Sequence, residues 1–171
     1  MNDFESCSEV LLIRKARRGD IQAFGTLYGR IYKELYRFAL YTMRHKQDAE
    51  DVVSETIVAA YENIGRLKKE DSFSSWIFTI LANQCKKRFR TIGDTEALSD
   101  ELIAQEQDHD SNHDVREALM RLGEEDRLIV VWSVLGGYPS EEIGKVLEMN
   151  PATVRSRKSR ALEQMHRILE N

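Results

Sequence analysis

Cysteine is nearly absent from this chain of 171 residues, Cys7 and Cys85 being the only two. Neither lies in a paired motif, which excludes a disulfide framework and fits a reducing compartment with structural or incidental thiols. Proline is as scarce, with Pro139 and Pro151 both in the last third. Strand-like alternation of apolar and polar residues is also rare, so the chain reads as all-α. No run of about 18 apolar residues occurs, and no membrane insertion is expected. The opening residues Met1, Asn2, Asp3, Phe4 and Glu5 lack the basic-then-apolar pattern of a secretory signal, so a cytoplasmic location is expected. An excess of positive charge is missing too. Lys and Arg number 25 against 29 Asp and Glu, a net charge of -4, with a pI of about 5.7, the reverse of the basic balance usual in nucleic-acid-binding domains. No Ser–His–Asp signature or phosphate-cradling glycine loop is present, so neither an enzyme nor a cofactor is expected. His109 and His113 stand four apart among Asp108, Asp110 and Asp114, yet two histidines fall short of a four-ligand set and no metal site is expected.

What is present is a 42% share of hydrophobic residues, enough for a core in one or two small domains. Ser6 or Ser8 caps a first helix carrying Val10, Leu11 and Ile13, closed by Gly19. Asp20 caps a second helix, where Phe24, Leu27, Tyr28, Ile31, Leu35, Phe38 and Ala39 form a long apolar stripe ending near Arg44. Gly25 and Gly29 lie one turn apart on it and suggest close packing. A third helix, from about Asp48 to Ile64, turns Val53, Ile57, Ala60, Tyr61 and Ile64 to the core. Asp51, Ser54, Glu55, Val58 and Glu62 line another face, which on spacing alone is most simply solvated surface. After Gly65 and a polar loop from Arg66 to Ser72, a fourth helix packs Phe73, Trp76, Ile77, Ile80 and Leu81. Its other side carries Thr79, Asn83, Lys86, Lys87 and Arg90, donors suited to following a nucleic-acid strand, with Phe78 beside them as a surface for stacking bases.

Composition then shifts. Asp94, Glu96, Asp100, Glu101, Glu106, Asp108 and Asp110 follow without one Lys or Arg, the mark of a linker, and this segment accounts for the low pI. Beyond it, Val115, Ala118, Leu119 and Leu122 share one helix face from near Asp114, and Asp126 to Leu135 forms another helix. Gly136 and Gly137 turn the chain into a short helix from Glu141 to Leu147. Asn150 is a favoured N-cap and Pro151 suits the first helical position, so a last helix begins there. The two helices, joined by a turn of three or four residues, make a helix-turn-helix, with Gly144 at the close approach and Ile143, Leu147 and Val154 filling the angle. Val154, Ala161, Leu162, Met165, Ile168 and Leu169 recur at helical spacing as its core side. Arg155, Ser156, Ser159 and Arg160 share another side, a composition suited to reading base edges in the major groove.

The chain resembles the extracytoplasmic-function sigma factors of bacteria over nearly its whole length. Four passages in order carry the likeness. They are Asp20, Ala23, Phe24, Leu27 and Tyr28; Asp48-Ala49-Glu50-Asp51-Val52-Val53 with Ser54-Glu55-Thr56; Phe73-Ser74-Ser75-Trp76-Ile77 with Asn83; and Glu142-Ile143-Gly144 with Thr153-Val154-Arg155-Ser156-Arg157 and Arg160-Ala161. The resemblance implies two small helical domains joined by an acidic flexible linker: region two at 1–91, the linker at 92–113 and region four, with its helix-turn-helix, at 114–171. It implies core RNA polymerase as partner, through its clamp helices and flap, with Asp48, Asp51, Ser54, Glu55 and Val58 forming the docking face. Promoter DNA is the second partner. Lys68, Ser72, Phe73, Asn83, Lys86 and Lys87 would capture the minus-ten element, while Thr153, Arg155, Ser156, Arg157, Ser159 and Arg160 would meet the minus-thirty-five element, Arg157 and Lys158 on the phosphate or solvent side. An anti-sigma factor is a further expected partner. The sequence departs from the family pattern at Ser54, where glutamine is common, at Glu148, a frequent turn glycine, at Lys158, usually apolar, and at Pro139, where Ser140 is left as a substitute cap. The competing readings are a stand-alone helix-turn-helix regulator and a pure interaction protein.

Overall fold

The computed structural model describes residues 7–68, 73–92 and 110–171, and among these the chain is all helical. The expectations for Ser6, Ser72, His109 and the acidic stretch from 94 to 109 lie outside the described residues. Ser8 caps α1 (Glu9–Arg17), its side chain accepting from the Leu11 amide at 3.3 Å. Gly19 closes that helix at φ +95°, a backbone state that glycine adopts without a Cβ clash. Asp20 caps the 22-residue α2 (Ile21–Thr42) by accepting from the Ala23 amide at 3.1 Å. α3 (Lys46–Asn63) ends in a 3₁₀ turn (Ile64–Arg66), and α4 (Phe73–Ile92) completes the first bundle. Leu27, Leu35, Ala39, Val52, Ala60, Ile77 and Leu81 supply its buried centre, where helices α2, α3 and α4 pack on one another. Gly25 and Gly29 are exposed and a Cβ on either would meet nothing within 4 Å, so the expected close packing there is corrected.

The second bundle holds α5 (Asp110–Met120), α6 (Glu124–Val130), a π-helical turn (Val131–Leu135), α7 (Ser140–Leu147) and α8 (Pro151–Glu170). Helices α5, α6 and α7 all rest on α8. α5 starts at Asp110, four residues before the expected boundary at Asp114. The expected single helix from Asp126 to Leu135 is instead α6 running into the wider π turn, and that turn brings the Tyr138 amide onto the Trp132 carbonyl at 3.1 Å. Ser140 is the first residue of α7 and does not cap it. Pro139 holds the N-cap position without a side-chain bond.

The two bundles touch. α2 meets α5, α6 and the π turn, and α4 meets α6 and α7. The Phe38 ring meets Trp132 edge-on at 5.2 Å, and Phe78 lies 6.2 Å from Tyr138. Phe78 is therefore 2% exposed, so the expected base-stacking surface on it is corrected: the ring is part of the core.

Between α7 and α8 the residues Glu148, Met149 and Asn150 make the turn. Gly144 is required there, because a Cβ would stand 2.6 Å from the Met149 carbonyl oxygen. Glu148 takes φ 56° and ψ 43°, making it the non-glycine residue at positive φ among the described residues. A side chain in that left-handed state costs about 1–2 kcal/mol. Glu148→Gly is thus expected to raise stability by about 1 kcal/mol, less the extra entropy glycine brings to the unfolded chain. Urea unfolding of the full chain checks this, and a lowered midpoint would show that the Glu148 side chain contributes more than its backbone strain costs.

Candidate nucleic-acid interface

α8 begins as its sequence dictates. The Asn150 side chain accepts from the Ala152 amide at 2.9 Å, and Pro151 occupies the first turn. Val154, Ala161 and Met165 anchor it at 0%, 2% and 7% exposure. Leu162 and Leu169 were expected on that anchoring side, but both are exposed. Each follows a residue of the buried register by one position, and a step of one residue turns about 100° around a helix, out of the stripe. Thr153, Arg155, Ser156, Ser159 and Arg160 are all exposed, and they form one polar, basic surface. Arg155 Nη1 reaches Glu141 at 3.5 Å, and Arg160 Nε donates to the Ser156 carbonyl at 3.4 Å. Arg157 points elsewhere. Its Nε donates to Asp126 at 2.7 Å and its Nη1 to Glu125 at 2.8 Å, tying α8 to the first turn of α6. The guanidinium expected at a phosphate is committed here to bracing the helix-turn-helix.

On α4 the expected strand contacts separate. Asn83 and Lys87 are exposed, as is Lys68 ahead of the helix. Phe73 is 2% exposed with its ring 6.0 Å from Trp76, so it belongs to the core. Lys86 donates to the Val146 carbonyl at 3.0 Å and lies 3.7 Å from Glu148, with 15% of its side chain exposed.

The α3 face also divides. Ser54, Glu55 and Val58 are exposed, Val58 at 56%, an apolar residue beside an acid. Asp48 and Asp51 are both held by Arg88 of α4, whose Nη2 donates to them at 2.7 and 3.1 Å. The hydrogen bond to Asp48 is the main reason that the Arg88 pKa is raised. Sequence reasoning missed Arg88, since a cation on a helix surface reveals no partner from another helix. It also missed Arg127, which is 1% exposed and donates to the Thr42 carbonyl at 2.6 Å and the Leu122 carbonyl at 3.1 Å. A signal existed for this one: Arg127 stands four residues before Val131, on the apolar stripe of its helix. Cys85 is wholly buried, and burial pushes its thiol up to about 12, so it stays protonated and inert at neutral pH. Among the described residues no group of His, Cys, Asp and Glu gathers to hold a metal ion, and no helix is long and apolar enough to cross a membrane.

Residues 27–94 match the family described as Sigma-70 region 2, and residues 112–165 match Sigma-70, region 4. The ECF RNA polymerase sigma factor SigM of Mycobacterium tuberculosis is 30% identical over 176 aligned positions, covering 95% of this chain and 85% of the relative. Among solved structures, CnrH in complex with the cytosolic domain of CnrY superimposes with a TM-score of 0.68 at 26% identity, covering 95% of this chain and 97% of that one. The sigma factor RpoE of Bartonella quintana, solved with the anti-sigma factor NepR, shares the fold with a TM-score of 0.72 at 24% identity, over 88% of this chain and 98% of that one. The chain belongs to the ECF RNA polymerase sigma factors, non-enzymatic proteins that direct RNA polymerase in transcription initiation.

The different placement of neighbouring arginines on α8 has a measurable consequence. Arg157→Ala removes two charge-assisted bonds at a partly exposed site and is expected to cost about 1–2 kcal/mol of stability. Arg155→Ala, at an exposed site, is expected to change stability by less than about 0.5 kcal/mol. Chemical denaturation of the two full-length variants compares them, and equal losses would contradict the bracing role of Arg157.

Proposed function

We propose that this sigma factor divides its work among three faces. Region four, 114–171, reads the minus-thirty-five element with Arg155, Ser156, Ser159 and Arg160 and positions Thr153 near the backbone. Region two, 1–91, engages the minus-ten element through Lys68, Ser72, Asn83, Lys86 and Lys87, and residues 92–113 link the two. The α3 face presents Glu55, Ser54 and Val58 to the clamp helices of core polymerase, and α7–α8 lie toward the flap. The observation that carries the reading is the exposed quartet on α8, set on a helix whose other side is anchored by Val154, Ala161 and Met165. Arginine forks fit the O6 and N7 acceptors of guanine, and serine hydroxyls fit base edges or phosphate.

Capturing the minus-ten element requires unstacking bases, which costs a few kcal/mol per flipped base and needs a pocket as well as charge. Docking on polymerase holds the strand donors where this can occur. The exposed Val58 beside Glu55 suits a protein partner, since an apolar group at a docking face gains from burial. Asp48 and Asp51 would support that face through Arg88, which fixes their carboxylates. An anti-sigma factor is a fitting second partner, as the fold-sharing RpoE has NepR bound in its structure.

Run-off transcription from a pool of genomic promoters, with core polymerase and with or without this chain, tests the reading; transcripts that depend on the chain are expected. Arg155→Ala and Arg160→Ala should each lower minus-thirty-five selectivity by about 1–3 kcal/mol. An equal loss on scrambled DNA would assign them to phosphate. Glu55→Lys is expected to abolish polymerase binding while the DNA contacts of region four persist, and a polymerase complex of unchanged affinity would refute the docking face.

A further inference from the structure

An acidic side chain stands beside the basic face of α8. Arg155 Nη1 lies 3.5 Å from Glu141 Oε1, and that carboxylate comes from the first turn of α7, not from the helix that carries the arginine. Both side chains are more than half exposed, 58% for Arg155 and 64% for Glu141, so the pair adds little to stability. A carboxylate there also repels DNA phosphates, which is unfavourable on a face meant for nucleic acid. Its placement is nevertheless well defined. Ile143 and Leu147 anchor α7 in the core, Gly144 closes against the Met149 carbonyl, and Arg157 braces α8 on α6. Arg160 is held differently, by the Ser156 carbonyl of its own helix at 3.4 Å. A guanidinium has five N–H donors in one plane, and the contact with Glu141 uses Nη1, leaving Nε and Nη2 for the two-point fork that matches O6 and N7 of guanine. An arginine side chain loses rotamer freedom when it binds, and a carboxylate that holds it beforehand removes part of that loss. The gain goes to the base that the held fork fits, and a base that requires another rotamer gains nothing. Holding the side chain therefore raises selectivity more than general affinity.

We propose that Glu141 is a positioning residue for Arg155, setting the rotamer with which that arginine reads one base pair of the minus-thirty-five element. The role rests on the assignment of Arg155 to that element. Glu142 separates it from a general effect of charge. Glu142 shares the first turn of α7 and is also exposed, but it stands about 100° around the helix from Glu141 and borders a small cleft with Trp132 and Tyr138. Favourable charge at the start of α7 and repulsion of phosphate belong to both glutamates. An effect that passes through Arg155 belongs to Glu141.

Two measurements on the full-length chain test this. In the free protein, NMR relaxation at Arg155 Nε reports how firmly the side chain is held. Glu141→Ala should mobilise it, Glu142→Ala should leave it as it is, and Glu141→Gln, which keeps an acceptor at the same length, should restore part of the order. With core polymerase, run-off transcription from templates in which each base pair of the minus-thirty-five element is replaced in turn gives the preference at every position. Arg155→Ala marks the base pair that Arg155 reads, and Arg160→Ala marks its own. Glu141→Ala should lower the preference at the Arg155 base pair about two- to ten-fold, the range for freeing one long side chain, and leave the Arg160 base pair unchanged. Glu142→Ala should spare both, and Glu141→Ala added to Arg155→Ala should cause no further loss there. Unchanged order at Arg155 Nε in Glu141→Ala, an equal loss at every base pair, or the same loss in Glu142→Ala would overturn the positioning role. If Arg155→Ala marks no base pair, the base assignment falls and the positioning role falls with it. A marked base pair whose preference survives Glu141→Ala overturns the positioning role alone.

Discussion

The carboxyl end of α2 is the constraint on which the arrangement of the molecule depends. A 22-residue helix accumulates a dipole whose negative end must be met by water, by a cap or by a cation. α2 has no basic side chain in its last turn, and two guanidiniums arrive from α5 and α6 instead. Arg127 is buried by that role, and a buried cation is tolerated only when several acceptors surround it. The Thr42 and Leu122 carbonyls serve here, one from each bundle. Burial also lowers the Arg116 pKa from the ordinary arginine range, yet its Nε still finds the Leu40 carbonyl. Once these two side chains are placed, Trp132 falls against Phe38, Tyr138 against Phe78, and α7 comes to rest near α4.

The helix-turn-helix follows from a second, tighter constraint. Two helices meeting through Glu148, Met149 and Asn150 leave no room for a Cβ at Gly144, and the Met149 amide returns to the Gly144 carbonyl at 2.9 Å. That bond closes α7 only if the intervening residue goes left-handed, a state in which Glu148 is held despite its Cβ. Asn150 and Pro151 then restart the chain at once. Arg157 completes the brace from nearly two turns further on, gripping the acidic first turn of α6, where carboxylates also oppose the positive end of that helix.

Much of this was legible in the sequence because it is local. The caps at Ser8, Asp20 and Asn150, the left-handed Gly19 and the approach at Gly144 each follow from one or two residues and their neighbours. Apolar periodicity found the stripe on α2 and the anchor at Val154 for the same reason. It failed by one position at Leu162 and Leu169, where a stripe one residue too wide counts exposed leucines as core. The π turn was not legible, since glycine-free Val131–Leu135 reads as ordinary helix and only tertiary packing widens it. Nor were the partners of Arg88, Arg116 and Arg127, which lie on other helices far along the chain. Phe78 was misread as available to bases because an aromatic next to basic residues has the same composition whether it faces solvent or a second domain, whereas Phe73, which its spacing placed in the core, entered the strand contacts only through the family resemblance.

Net charge, the feature that argued most strongly against a DNA reader, loses its force once the charges are followed face by face. Asp48 and Asp51 share Arg88, and Glu125 and Asp126 share Arg157, so at short range each cluster presents one net negative charge where its carboxylates carry two. Exposed charges then differ by face, with Glu55 beside Val58 on α3 and Arg155 with Arg160 on α8. Beyond about 8 Å at physiological salt, a charge elsewhere on the surface is largely screened, so a partner meets the local face and not the total. Yet two arginines are a small electrostatic resource. Each phosphate neutralised adds about 0.9 to the salt slope of binding, and a face of this size has the weak, salt-sensitive affinity of a reader that works in company. On the proposed assignment the remaining affinity comes from simultaneous engagement of the second domain and of polymerase, which turns later contacts into intramolecular ones at high effective concentration. Modest basicity on α8 is then a condition of selectivity, because a strongly basic helix would hold any DNA before polymerase had been recruited.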